Sequence, residues 1–172
     1  MGLNNRQAGY LATRHLIQLG AKRIGFLGYH GAPSTVAARK AGYEAALIEH
    51  NLPLMDFIPV EVDEQASRWH ERGMEAWVCV NDRVAGQLMH SLISAGMRVP
   101  EEVRIVGIDD STYASLLPVP LTTVRQPCRE IGEAALATML ERIQHPDRSS
   151  RDLLLDGTLV VRRSCGDSAH DF

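Results

Sequence analysis

The amino-acid sequence predicts an α/β fold: a doubly wound parallel sheet with helices on both faces. Short apolar segments alternate four times with amphipathic helical segments through brief polar joints, the order that right-handed β-α-β crossovers produce. The apolar segments read as continuous runs, as expected of strands covered on both faces. With 172 residues, 45% of them hydrophobic, the chain is long enough to bury the core of such a sheet.

Four apolar runs bounded by turn residues are predicted strands: residues 23–29, 57–62, 76–80 and 103–108. A short polar helix at 64–72 separates the second strand from the third.

Three longer segments have the 3.6-residue spacing of amphipathic helices, at residues 5–20, 34–51 and 82–96. Capping residues begin each segment, and glycine or asparagine ends it. The positions predicted to face inward are Ala8, Leu11, Ala12, His15, Leu16 and Leu19 in the first; Val36, Tyr43, Ala46 and Leu47 in the second; and Ala85, Leu88, Met89, Leu92 and Ile93 in the third.

The pattern changes after the fourth strand. Residues 116–127, which contain two prolines, are predicted to be an extended linker that leads to a helix at 129–143. A polar loop follows, and two short strands at 153–155 and 158–162 flank Asp156-Gly157, a dipeptide typical of a tight hairpin turn. The inward positions predicted for this last helix are Ile131, Ala134, Ala135 and Leu140.

The charge balance excludes an obvious nucleic-acid surface. The net charge is −3 and no run of lysines or arginines is present, whereas phosphate binding needs a clustered basic surface. Cys79, Cys128 and Cys165 are odd in number and unpatterned, which favours reduced thiols in a cytoplasmic protein. The polar N-terminus predicts no signal peptide, and no apolar run is long enough to cross a membrane.

Motifs for catalysis are also missing. The glycines after the first strand do not form a phosphate-binding loop, the seven histidines lack metal-ligand spacing, and no serine lies in a nucleophile elbow. The sequence therefore predicts no enzyme, no catalytic residue, no metal and no cofactor.

What remains is a set of polar residues at strand ends, where open α/β sheets bind ligands. Asp109 and Asp110 follow the fourth strand and are either turn-forming or ligand-facing. Asn81 follows the third strand and is either a helix cap or a ligand contact. Arg39 lies one turn into the second helix and is either solvated or a donor to a planar acceptor.

In order along the chain, these segments resemble the effector-binding region of the bacterial LacI/GalR family of transcriptional regulators. The residues that carry the resemblance are Ala8-Gly9-Tyr10, His15 to Gly20, Arg23 to Leu27, Arg39-Lys40-Ala41-Gly42-Tyr43, Val80-Asn81-Asp82, Gly96 to Val103, Val106-Gly107-Ile108-Asp109-Asp110, Pro120 to Gln126, Ile131-Gly132 and Leu159 to Ser164.

The resemblance implies the fold of type I periplasmic binding proteins, in which two lobes clamp a small effector such as a sugar or a purine. It assigns Arg39, Asn81 and Asp109 to the effector, with Gln126 as a further candidate. It also implies a homodimer with contacts near residues 84–95 and 111–118. DNA would be bound only through a segment absent from this chain.

The same resemblance divides the chain. Residues 1–20 would be a leading helix, 21–118 the C-terminal lobe, 119–165 a crossover, helix and terminal hairpin belonging partly to the N-terminal lobe, and 166–172 a loose tail. The chain would then be a fragment that lacks most of one lobe. The alternative is a solute-binding protein of the same fold.

Overall fold

The computed structural model describes residues 1–29, 34–55, 58–59 and 73–167. Within these residues the strands are β1 (Gly2–Leu3), β2 (Ile24–Gly28), β3 (Ile58–Pro59), β4 (Ala76–Cys79), β5 (Arg104–Asp109), β6 (Thr122–Arg125), β7 (Leu154–Leu155) and β8 (Thr158–Val160). The helices are α1 (Asn5–Gln18), α2 (Ser34–Glu49), α3 (Asp82–Ser94) and α4 (Cys128–Gln144), with 3₁₀ turns at Thr112–Ser115 and Arg163–Cys165.

The doubly wound parallel sheet is confirmed. Six strands lie in the order β3-β2-β4-β5-β6-β8, and every neighbouring pair is parallel except β6 with β8. The chain builds outward from β2 to β3 and then returns to add β4 on the other side. The order of winding therefore reverses between β2 and β4, which is where folds of this type open a crevice for ligands.

The core lies around β2 and β4, in which every residue is buried. Burial on both faces explains why these strands are continuous apolar runs. Gly25 and Trp77 are register partners across β2 and β4, and the Trp77 side chain is fully buried. A Cβ atom at Gly25 would lie 2.2 Å from Cζ3 of Trp77, so the indole occupies the space that only glycine leaves free.

Helices α1 and α2 cross at close range because glycine stands at both contact points. A Cβ at Gly9 would lie 2.0 Å from the carbonyl oxygen of Arg39, and a Cβ at Gly42 would lie 1.9 Å from that of Arg6. The two backbones therefore touch directly. This contact fixes the position of the Arg39 backbone, from which its side chain extends.

The predicted inward faces of the first three helices hold with few exceptions. Ile93 in α3 is 39% exposed, and Leu11 and Leu19 are only partly buried. The predicted strand at 57–62 is described only as β3, and the predicted helix at 64–72 lies outside the described residues. The tail beyond residue 167 also lies outside them.

The linker and the terminal hairpin need correction. Thr122–Arg125 is a strand of the main sheet because Thr122, Thr123 and Val124 are buried between β5 and β8. The predicted hairpin is wrong: β7 pairs with β1, whereas β8 pairs with β6. The side chain of Gln7 bonds both backbone groups of Gly157, so the Asp156-Gly157 dipeptide passes from one sheet to the other instead of folding back.

The predicted burial of α4 is also wrong, since no residue of this helix is buried. Four of its apolar side chains are at least half exposed: Leu136, Met139, Leu140 and Ile143. The amphipathic pattern is real, but the described part of the chain offers no surface that covers it. Among the described residues, no helix has the length and apolar character needed to cross a lipid bilayer.

Candidate functional site

Arg39 joins four elements at the carboxyl edge of the sheet. Its Nε donates to Oδ1 of Asn5 at 2.8 Å, its Nη1 to the carbonyl of Val80 at 2.5 Å, and its Nη2 to Oδ1 of Asp109 at 3.3 Å. Only 11% of its side chain is exposed. Burial lowers the pKa of the guanidinium, and the charge of Asp109 opposes that shift. Arg39 is therefore an anchored, mostly buried cation and not a solvated surface arginine.

Asp109 ends β5 and accepts two hydrogen bonds on one oxygen. Besides Arg39, Nε2 of Gln126 donates to Asp109 Oδ1 at 2.5 Å. Among the described residues no hydrogen bond reaches Oδ2, and a third of the side chain is exposed. Burial raises the pKa of the carboxyl, while the charge of Arg39 and the hydrogen bond from Gln126 act against the shift. One carboxylate oxygen is thus held in place and the other is open to a donor.

The backbone at this point is strained. Asp109 has φ 133° and Asp110 has φ 54°, both in the region that favours glycine. Such conformations cost about 1–3 kcal/mol each and persist where the surrounding structure holds them, commonly at ligand sites. Strain at two consecutive residues turns the chain sharply where β5 ends.

Asn81 combines the two roles left open by its sequence position. Its Oδ1 accepts from the backbone N–H of Val84 at 2.9 Å, which makes it the N-cap of α3. Among the described residues Nδ2 makes no hydrogen bond, so the amide remains able to donate. The sequence thus located the cap correctly, and the geometry leaves the second function available.

Asp110 has a structural position, different from that of Asp109. Its two oxygens accept from Nε of Arg125 at 2.6 Å and from Nη2 of Arg162 at 2.7 Å, and 8% of its side chain is exposed. Burial acts to raise the pKa of Asp110, but the hydrogen bonds from Arg125 and Arg162 outweigh it and leave the pKa below its usual value. Asp110 ties the turn after β5 to the segments beside it.

Sequence reasoning missed the importance of Asp82, the first residue of α3. It is fully buried, accepts from both the backbone N–H and the hydroxyl of Ser111, and accepts from the hydroxyl of Thr123. An acid in the first turn of a helix is expected on electrostatic grounds alone. The signal that distinguishes it was Gly107, because only a glycine leaves room there for the Asp82 carboxylate.

The four predicted residues are therefore brought to one edge of the sheet. Arg39, Asp109 and Gln126 are directly linked, and Asn81 caps the helix that follows the Val80 carbonyl bound by Arg39. Among residues 1–29, 34–55, 58–59 and 73–167, no group of three or more His, Cys, Asp or Glu side chains is placed to hold a metal ion. The cluster offers one open carboxylate oxygen and one open amide donor, which suits a small ligand with hydroxyl or amine groups.

A concave surface lies elsewhere, beside α4. This pocket of about 390 Å³ is lined by Thr138, Glu141, Arg142, Arg148, Ser149, Ser150 and Arg151. Glu141 pairs with both Arg148 and Arg151, so three arginines of the lining face one carboxylate. None of the four predicted residues lines it.

The sheet order defines a fold of the periplasmic-binding-protein kind. The family described as periplasmic binding protein-like domain matches residues 13–165, and the chain belongs to this family. Similar solved structures include a LacI family transcriptional regulator. The expected resemblance is thereby confirmed.

Two curated relatives and one solved structure place the chain more closely. It is 30% identical to the HTH-type transcriptional repressor PurR of Photobacterium profundum, over 95% of this chain and 52% of the relative. It is 32% identical to the ribose operon repressor of Haemophilus influenzae, over 94% of this chain and 51% of the relative. A LacI family transcriptional regulator from Enterococcus faecium, solved with bound ribose, is 27% identical with a TM-score of 0.83, covering 94% of this chain and 63% of that one.

The chain spans about half the length of the curated relatives it matches. Those relatives are transcriptional repressors, which supports the effector-binding region of a regulator over the solute-binding alternative.

Proposed function

We propose that Arg39, Asn81, Asp109 and Gln126 bind a small sugar or purine-like effector, and that the chain is the effector-binding and dimerising region of a cytoplasmic LacI-like regulator. In this proposal DNA is contacted by a segment outside these 172 residues, and the chain performs no catalysis. The observation that carries the proposal is the junction at Asp109, where Arg39 and Gln126 meet from positions 70 and 17 residues away.

The chemistry of the open groups supports this class of ligand. A sugar hydroxyl or a purine amine can donate to the open oxygen of Asp109, and the Asn81 amide can donate to a ligand oxygen or ring nitrogen. The charge of Arg39 is already paired with Asp109, so Arg39 orients the Asp109 carboxylate more than it attracts an anionic ligand. Ribose is the first ligand to test, because one relative is named for the ribose operon and one similar structure holds ribose.

Calorimetric titration of a panel of sugars and purine bases tests the proposal, using the full-length regulator with and without Asp109→Ala. Loss of a hydrogen bond to a charged group costs about 1.5–3 kcal/mol, so the variant should weaken the binding constant about 10-fold to 100-fold. Glu133→Ala removes an exposed carboxylate that pairs with Arg129 and serves as the matched control. Binding that Asp109→Ala leaves unchanged, or a panel in which nothing binds, would reject the effector assignment.

The surface near the proposed dimer contacts carries exposed apolar residues. Leu116 is 81% exposed, Tyr113 is 41% exposed and Ile93 is 39% exposed, all within or beside the segments assigned to the dimer. Buried apolar area stabilises such contacts. Analytical ultracentrifugation should give at least twice the 19.0 kDa chain mass, and Leu116→Glu should shift the protein towards monomer. A wild-type monomer at micromolar concentration would contradict dimerisation through this surface.

A further inference from the structure

We infer that Asp82 is a positioning residue, which holds the strained turn at 109–111 so that Asp109 faces the ligand. The inference rests on the proposed function only in giving Asp109 to the effector. The role of Asp82 itself is carried by the geometry around its carboxylate.

Both oxygens of Asp82 hold the same turn by separate routes. Oδ2 accepts from the backbone N–H of Ser111 at 2.7 Å and from its hydroxyl at 2.9 Å. Oδ1 accepts from the hydroxyl of Thr123 at 2.5 Å, and that hydroxyl in turn accepts from the backbone N–H of Asp110 at 3.3 Å. Two consecutive amides are therefore held by one carboxylate, the first through a relay and the second directly.

These two amides belong to Asp110 and Ser111, the two residues that follow Asp109 in the strained turn. Asp109 and Asp110 have positive φ, and a side-chain carboxylate is a strong acceptor that can keep such a backbone in place. Because Asp82 begins α3 and Asn81 caps the same helix, the carboxylate also fixes the capping amide relative to Asp109. Two of the proposed ligand contacts are thus set in register by a residue that does not touch the ligand.

A capping role does not account for these contacts. Asn81 already supplies the capping oxygen, to Val84, whereas the Asp82 side chain is turned away from its own helix and is 0% exposed. Its neighbour Gly107 is shaped to the carboxylate, since a Cβ there would lie 2.4 Å from Asp82 Oδ1 and 3.0 Å from Cδ2 of Leu121. The site is built around this one side chain.

Amide hydrogen exchange on the ligand-free chain tests the inference. Asp82→Asn replaces an acceptor oxygen with a donor, Thr123→Val removes the relay hydroxyl at nearly constant shape, and Gly107→Ala displaces the carboxylate without changing any charge. Each should make the Asp110 amide exchange at least about tenfold faster, and Asp82→Asn and Gly107→Ala should do the same for Ser111. The Gln126 side-chain amide signal should also move as its acceptor shifts.

Two controls separate positioning from general destabilisation. Leu47→Ala weakens the core outside the turn. It should accelerate exchange of the Trp77 backbone amide, the core reference, as much as exchange of the Asp110 and Ser111 amides. Ser111→Ala removes the hydroxyl bond but keeps the backbone bond, so the Ser111 amide should stay protected. Should Asp82→Asn fail to fold, Gly107→Ala and Thr123→Val decide the question.

The inference would be overturned if the Asp110 and Ser111 amides kept their wild-type protection in both Gly107→Ala and Thr123→Val. Protection is measured relative to the Trp77 backbone amide. Because no ligand is present, this result does not depend on whether an effector is found, and a failed ligand screen leaves it intact.

Discussion

Replacement of Gly25 by alanine is the sharpest test of how the sheet is packed. The new Cβ would lie 2.2, 2.5 and 2.8 Å from three ring carbons of Trp77. The indole is 0% exposed and lies against β2, so it has no solvent to swing into. Side chain and strand must therefore both shift.

The expected cost follows from this crowding. Overpacking a well-packed core costs about 1–3 kcal/mol, and contact with three rigid ring atoms places Gly25→Ala at the upper end, at about 3 kcal/mol. For a chain of this length each kcal/mol lowers the melting temperature by about 2–4 °C, so Gly25→Ala should melt about 6–12 °C below wild type.

Urea and thermal unfolding measure the change, and Gly132→Ala is the matched control. Gly132 lies inside α4 with nothing within 4 Å of its added Cβ, so the same substitution should stabilise the protein by about 0.5–1 kcal/mol. Trp77→Leu should relieve the clash, so the double variant should be less destabilised than the sum of the two single variants. A Gly25→Ala protein within 0.5 kcal/mol of wild type, or additive energies in the double variant, would refute the packing argument.

Three further predictions concern charge, capping and surface. Because the folded-state pKa of Asp110 is lowered, its contribution to stability is present above the unfolded value of about 3.9 and is lost as the pH falls through the folded value. Urea unfolding from pH 7 to pH 2 should show this loss of unfolding free energy in wild type and not in Asp110→Asn. An equal dependence of unfolding free energy on pH in the two proteins would contradict the prediction. Asn81→Ser keeps a capping oxygen and should unfold like wild type, whereas Asn81→Ala should lose about 1 kcal/mol of unfolding free energy. If both variants weaken effector binding equally, the Asn81 amide is a ligand contact; unaltered binding in both would exclude that contact. Ile143 is 70% exposed, so Ile143→Glu should change stability by less than about 0.5 kcal/mol, whereas Ile24→Ala in the core should cost about 2–5 kcal/mol by the same measurement.

The fold was predictable from local pattern wherever an element's burial is decided by its own spacing. The helix predicted at 5–20 is α1 at Asn5–Gln18, and the run predicted at 23–29 is β2 at Ile24–Gly28. The destinations of β7 and β8 were not predictable, because their partners at Gly2 and Thr123 lie far away in sequence. An Asp-Gly dipeptide indicates a change of direction but not which strand comes next.

The site shows the same division. A carboxylate after a buried strand indicates a turn-forming or ligand-facing position. Position alone also left Arg39 and Asn81 as open candidates, and the family resemblance assigned them to the effector and added Gln126. The hydrogen bonds that join Arg39 and Gln126 to Asp109 depend on the three-dimensional fold and could not be predicted from sequence spacing. The exposure of α4 was missed because an apolar stripe predicts that a face prefers burial and carries no information about what covers it.

The early and late ends of the chain also have a consequence for the order in which the protein folds. β1 pairs with β7, Asn4 bonds Asp156, Gln7 bonds Gly157, and the ring of His15 contacts the sulfur of Cys165, so α1 is completed by residues about 150 positions later. At a synthesis rate of about 5–20 residues per second, α1 waits roughly 8–30 s on the ribosome for these partners. Contacts of such long range are slow to close, whereas the contact of α1 with α2 at Gly9 and Gly42 can form as soon as both helices have been synthesised.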